Sequence, residues 1–150
     1  MRSVLSACAW AGLLAGTALV PVAFAESCVR PPEKVAFDVA GLKSELMVVA
    51  IACQQQERYN AFVTRFRGDL VGDERALTGY FNRTGSRAQQ RHDDYITNLA
   101  NTQSEDGIKQ GTLFCDQHKT MFDEVLALKD GKELNAYAGS KGLVQPVDVV

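Results

Sequence analysis

The chain has 150 residues, of which 46% are apolar and 23% charged, with a formal net charge of −2. That composition suits one folded domain and excludes a disordered segment. The weakly acidic balance excludes a nucleic-acid binder driven by bulk charge, and four cysteines are too few for a disulfide-dense miniature scaffold.

The first segment reads as an address. Arg2 precedes an apolar run from Val4 to Ala25 that closes on Pro21-Val22-Ala23-Phe24-Ala25. A basic start, an apolar middle and an Ala-x-Ala end predict a secretory signal over residues 1–25, cleaved after Ala25. An uncleaved membrane anchor is the competing reading, but Pro21 and the small residues suit a peptidase better. No second apolar run of that length follows. The expected compartment is the periplasm or the exterior.

Residues 26–37 read as an extended lead-in, because Pro31-Pro32 lack backbone donors and the residue before a proline avoids helix. Residues 38–128 read as the helical domain. Asp38 is the expected N-cap of one long helix, about 39 to 67, with Leu42, Leu46, Val49 and Cys53 inward and Tyr59, Phe62 and Phe66 carrying the stripe onward. Gly68 and Asp69 are its expected stop. A short second helix follows Asp73, with Leu77, Tyr80 and Phe81 inward. A third is expected after Ser86, with Ala88, Tyr95, Ile96, Leu99 and Ala100 inward. The fourth is expected from Glu105 to Leu128, with the stripe Ile108, Thr112, Cys115, Phe122, Val125 and Leu126. Residues 129–150, punctuated by Gly131, Gly139, Gly142 and Pro146, read as a mobile tail with a helical turn at most near Glu133 to Ala138. The sum is a small four-helix, all-α domain.

Cleavage removes Cys8 and leaves Cys28, Cys53 and Cys115. In an oxidising compartment a bridge is the default, and three single bridges are open. Cys53–Cys115 is favoured, because both fall on inward stripes of the two longest expected helices. Cys28 is then left over, free or available to join two copies of the chain.

The search for chemistry yields little. His92-Asp93-Asp94 sets an imidazole beside two carboxylates, yet neighbours on a helix point about 100° apart, and a solvated face explains them as well. Cys115 and His118 share a helical face, as a thiol nucleophile and its base must, but an exported cysteine is expected to be oxidised. No phosphate loop, G-x-S-x-G, H-E-x-x-H or C-x-x-C occurs. No cofactor and no metal is implied.

The charge layout stands out more. Between Glu57 and Arg91 seven arginines face four acids; from His92 onward five lysines face ten acids. Such asymmetry can dock an anionic partner. Arg58, Arg65 and Arg67, with Tyr59, Phe62, Tyr80, Tyr95 and His92, are the candidate binding residues; the aromatics would line a cavity if one exists.

Leu42-Lys43-Ser44-Glu45-Leu46-Met47-Val48-Val49-Ala50 with Cys53, then Tyr59-Asn60-Ala61-Phe62, resembles the first long helix of small exported helical proteins of Gram-negative bacteria. Tyr80-Phe81, His92-Asp93-Asp94-Tyr95, Leu99-Ala100-Asn101 and Phe114-Cys115 extend the resemblance over about residues 38 to 128. It implies export and a paired-cysteine helical domain, and carries no catalytic residue across.

The expected function is therefore a non-enzymatic periplasmic module that binds a protein or an anionic envelope component. The alternative is an acid- or stress-response chaperone whose apolar faces open as carboxylates protonate. A metal or thiol enzyme using His92, His118 or Cys115 is the third reading.

Overall fold

Eleven of the 22 residues of the helix Pro31–Ala52 are buried, and they fall on all sides of it. A helix buried all round must be wrapped by the rest of the domain. The computed structural model describes residues 29–146, and over these the chain is all-α, with no strand. The elements are α1 (Pro31–Ala52), α2 (Gln56–Arg65), α3 (Arg67–Thr84), α4 (Ala88–Gln110), a 3₁₀ turn (Gly111–Leu113), α5 (Phe114–His118), α6 (Met121–Ala127) and α7 (Gly131–Ser140). Helix α1 touches α2, α3, α4, α5 and α7, and α6 closes over α2. The expected signal, its cleavage point and Cys28 lie outside the described residues.

Two apolar clusters share α1. Phe37, with Ala36, packs against Leu77, Phe81, Tyr95 and Leu99 of α3 and α4. Leu42, Leu46 and Val49 pack against Phe62 and Phe66 on one side and Phe114, Phe122, Val125 and Leu134 on the other. Phe37, Leu42, Leu46 and Val49 are each at most 1% exposed. Burial of such side chains supplies about 1.5–3 kcal/mol each, the main driving force for this arrangement.

Several expected boundaries move, for identifiable reasons. The lead-in is not extended through residue 37, because α1 begins at Pro31. Prolines fit a first helical turn, whose N–H groups have no intrahelical partner anyway. Glu33 completes that start by accepting the Arg30 N–H at 2.8 Å.

The single helix expected over 39–67 is broken after Ala52. Gln54 adopts φ 58°, and the Gln55 N–H returns to the Ala50 carbonyl at 2.8 Å, a Schellman-type end with Gln in the usual glycine position. The polar run after Cys53 offers nothing to bury in line with α1, whereas reversal lays Phe62 and Phe66 back onto it. Gly68 does not stop a helix, nor does Asp73 start one; both lie inside α3, and the bend falls at Phe66.

The expected third helix runs ten residues past Ala100, to Gln110, and the expected fourth is cut at Gly111, where φ is 59°. Its cap is Arg87 rather than Ser86. Ile108 consequently faces outward, 78% exposed, and Ile96 is 38% exposed.

The expected tail holds a helix of its own, from Gly131 to Ser140. Asp130 caps α7 by accepting from Glu133 N at 2.9 Å, and Glu133 accepts the Lys129 N–H in return. Leu134 and Ala138, one turn apart, are 0% and 3% exposed. Two buried residues are enough to seat a ten-residue helix and too few to show as a periodic pattern.

Cys53 and Cys115 are joined by a disulfide, with Cα atoms 5.5 Å apart and a sequence separation of 62. The bridge fastens the end of α1 to α5, as the inward positions of both cysteines led one to expect.

Candidate functional site

The arginines singled out for an anionic partner are engaged within the fold. Arg58 pairs with Asp123 and lies over the Phe122 ring. Arg65 donates to the Leu128 carbonyl, so both arginines clamp α2 to the α6 region. Arg83 forks onto Glu33, and Arg91 donates to the Phe81 carbonyl. Arg67 is exposed at the start of α3. Arg58, Arg65, Arg83 and Arg91 thus act as tethers between helices or between a helix and a neighbouring backbone carbonyl.

The aromatic candidates separate in the same way. Phe62 is wholly buried and Tyr95 is 4% exposed, so both are core. Tyr80 meets the Phe37 ring edge-on at 5.0 Å. His92 sits edge-on to Phe81 and places Nε2 2.9 Å from Glu74 Oε1. The disulfide consumes the Cys115 thiol, which removes the nucleophile from the Cys115–His118 reading. Among the described residues no three His, Cys, Asp or Glu side chains are placed to hold a metal ion.

Of the aromatic candidates, Tyr59 borders a cavity between α1 and α3. It has a volume of about 120 Å3, is partly open, and is lined by residues of α1, α2, α3 and α4. Its walls are apolar: Ala36, Val39 and Met47 from α1, Leu70 and Leu77 from α3, and Ile96 from α4. Its polar lining is Lys43 and Ser44 from α1 and Asp73 and Glu74 from α3.

Ser44 Oγ and Asp73 Oδ2 are buried and have no hydrogen-bond partner. Such atoms are costly, at about 1–3 kcal/mol each, and ask for a partner. Burial, reinforced by the nearby Asp69 charge, pushes the Asp73 carboxyl up to about 6. Burial likewise pushes the Tyr59 phenol up. Lys43 is exposed, and Glu74 Oε1 lies 2.9 Å from His92 Nε2. Sequence reasoning passed over Ser44, Asp73 and Glu74. Their signal was available only in part: a seryl hydroxyl and two carboxylates on the inner sides of neighbouring helices look like surface until the helix bounds are known.

A second concavity is open and apolar. It has a volume of about 520 Å3 between the C-terminal halves of α1 and α4, lined by Met47, Ile51, Ile108 and Phe114 among others. Ile51 is 66% exposed and Leu113 59%.

A third polar feature sits close to the disulfide. Glu45 is 7% exposed and lies 3.5 Å from His118 Nε2, while His118 Nδ1 is 2.9 Å from the Phe114 carbonyl. Burial raises the Glu45 carboxyl, with His118 opposing and Asp106 adding to the shift. Gln103, 1% exposed, donates to the Gly41 carbonyl and ties α4 to α1.

Fold and site together define an all-α, disulfide-bridged domain with a small cavity of mixed polarity. No protein-family model, no curated protein and no solved structure matches the chain.

Proposed function

We propose that this chain is an exported, non-enzymatic binding module whose ligand site is the cavity between α1 and α3. The observation that carries the reading is the lining of that cavity, apolar walls from α1, α3 and α4 with Lys43, Ser44, Asp73 and Glu74 among them. Ligand pockets are mostly apolar with a few placed polar groups that fix orientation, and this cavity has that composition. Export is supported by the apolar leader with its Ala-x-Ala end, and by the Cys53–Cys115 bridge, which persists in oxidising compartments. No helix among the described residues is long and apolar enough to cross a membrane.

Two measurements test this. A fragment set of cations, anions and neutral molecules, followed by amide and methyl NMR shifts, is expected to move Ala36, Val39, Ser44 and Leu77. A set that leaves those signals in place removes the binding site. Fractionation with N-terminal sequencing is expected to recover the chain outside the cytoplasm, starting at Glu26; cytoplasmic recovery with an intact leader removes export.

A chaperone-like role is a second reading, favoured by the open apolar groove and by exposed Ile51 and Ile108 that line it. Exposed apolar patches of this kind can hold unfolded clients. Suppression of client aggregation, lost on Ile51→Ser and Ile108→Ser together, supports it; no suppression at neutral or acid pH retires it.

A further inference from the structure

We infer that Glu45 of α1 and His118 of α5 form a proton-operated latch: one proton shared between them holds α5 onto α1, and its loss frees the wall that α5 gives to the open apolar groove. The latch stands apart from the cavity between α1 and α3.

His118 Nδ1 lies 2.9 Å from the Phe114 carbonyl oxygen, which can only accept, so Nδ1 carries the hydrogen. In a neutral imidazole the other nitrogen, Nε2, is then a bare lone pair. It faces Glu45 Oε1 at 3.5 Å. A lone pair and an ionised carboxylate repel at that range, so the contact calls for one more hydrogen between them. A protonated Glu45 supplies it by donating to Nε2; an imidazolium supplies it by donating to the carboxylate. Either placement closes the pair, and without that proton the two groups push apart.

Burial makes the proton count. The Glu45 side chain is 9% exposed and that of His118 21%, so water screens the pair poorly. Burial lifts the Glu45 carboxyl above its ordinary value; His118 opposes that shift, and Asp106 of α4 adds to it. Asp106 itself accepts from Gln110 at 2.8 Å, and on the α5 side Asp116 pairs with Lys119 at 3.0 Å. Loss of the shared proton leaves a buried carboxylate with a lone pair in front of it and the Asp106 charge nearby. The latch is therefore closed in acid and opens as pH rises.

The local structure lets such an opening stay small. Helix α5 has five residues, of which Phe114 is buried, and it follows a turn at Gly111 with φ 59°. The Phe114 ring lies against Gly107 of α4, where a Cβ would stand 3.2 Å away, and stacks on the His118 ring with centroids 4.4 Å apart. The Cys53–Cys115 bridge is indifferent to the proton and keeps α5 tethered to α1. Release of His118 is then a pivot about Cys115 that takes the ring support away from Phe114. Phe114 and Cys115 both line the groove, so its α5 wall loosens while the rest of the domain keeps its packing.

Hydrogen exchange of the oxidised protein, corrected for the intrinsic rate, reads the latch at the Lys119 amide, which donates to the Cys115 carbonyl at 2.9 Å and closes the last turn of α5. Its protection is expected to fall about tenfold from about pH 5 to about pH 8, with that of Leu99 in the middle of α4 unchanged. Glu45→Gln keeps a donor opposite Nε2 that cannot be lost, and is expected to hold protection at its acid level throughout. His118→Gln, on the more exposed partner, is expected to leave protection low at both ends of the range, and it keeps the test open should Glu45→Gln not fold. Imidazole nitrogen spectra of the parent protein at the acid end are expected to show a hydrogen on His118 Nδ1. Protection that ignores pH, that falls equally at Leu99, or that still falls in the variants overturns the latch, as does a bare Nδ1.

Discussion

Tyr95 Oη donates to Gln145 Oε1 at 2.8 Å, fastening the middle of α4 to the chain beyond α7. The same Gln145 uses its Nε2 to reach the Phe37 carbonyl on α1 at 3.0 Å. One amide side chain thus bridges the two helices that flank it. Burial, with the Asp38 and Glu74 charges, raises the Tyr95 phenol and keeps it a neutral donor across the physiological range.

This bridge needs a glycine beneath it. A Cβ at Gly41 would stand 2.6 Å from Gln145 Nε2. Gly41→Ala is expected to displace Gln145 and free the chain beyond Ser140, so that trypsin cuts after Lys141 much sooner. Overall stability should move by less than about 1 kcal/mol, because alanine favours the helix by about as much as the lost bonds contribute. Timed proteolysis and a urea titration read the two effects separately; unchanged cleavage refutes the bridge.

Reduction of Cys53–Cys115 opens a cross-link spanning 62 residues. On the chain-entropy account, Cys53→Ser with Cys115→Ser lowers stability by about 4 kcal/mol. Against the 5–15 kcal/mol typical of a domain that is a large share, and the urea midpoint should fall accordingly. A midpoint within about a tenth of the original value contradicts it.

Glu45 sets a pH dependence of known sign. Burial lifts its carboxyl above the ordinary 4.5, against the pull of His118. A raised folded value means the native state holds the proton more tightly, so this contribution is full below the unfolded value and is lost as pH rises through the folded one. Glu45→Gln is expected to flatten the stability profile between mild acid and neutrality and to raise stability at pH 7. Urea midpoints across that range decide it, and a variant that is weaker only at pH 7 reverses the sign.

Gln54 occupies the left-handed region at φ 58°, where a side chain is strained. Gln54→Gly relieves that strain and loses some of the gain to extra freedom in the unfolded chain, leaving a net increase of up to about 1 kcal/mol. Thermal melting measures it; a lower midpoint would show that Gln54 makes a compensating contact.

The all-α class, the inward faces of Leu42, Leu46, Val49, Phe62 and Phe66, and the cysteine pair were legible because they rest on spacing alone. The boundaries at Gln54, Gly111 and Asp130 were not. Each is decided by where the next apolar side chain can be buried, which depends on tertiary neighbours. The candidate site was less legible still. Of the binding residues inferred from composition, only Tyr59 borders the cavity. The arginine cluster was visible, but its partners, Asp123, the Leu128 carbonyl and Glu33, are fifty or more residues away in sequence. Ser44 and Asp73 gain their interest from the cavity they line, and sequence cannot express that.

Because α1 is packed by helices that follow it in sequence, the first of the described helices is among the last to be sheltered. Its apolar circumference is fully covered only once α7, about eighty positions later in sequence, has packed against it. An escort during biogenesis, or a slow commitment to folding until the far end arrives, is the practical demand that this spindle-like layout makes on the cell.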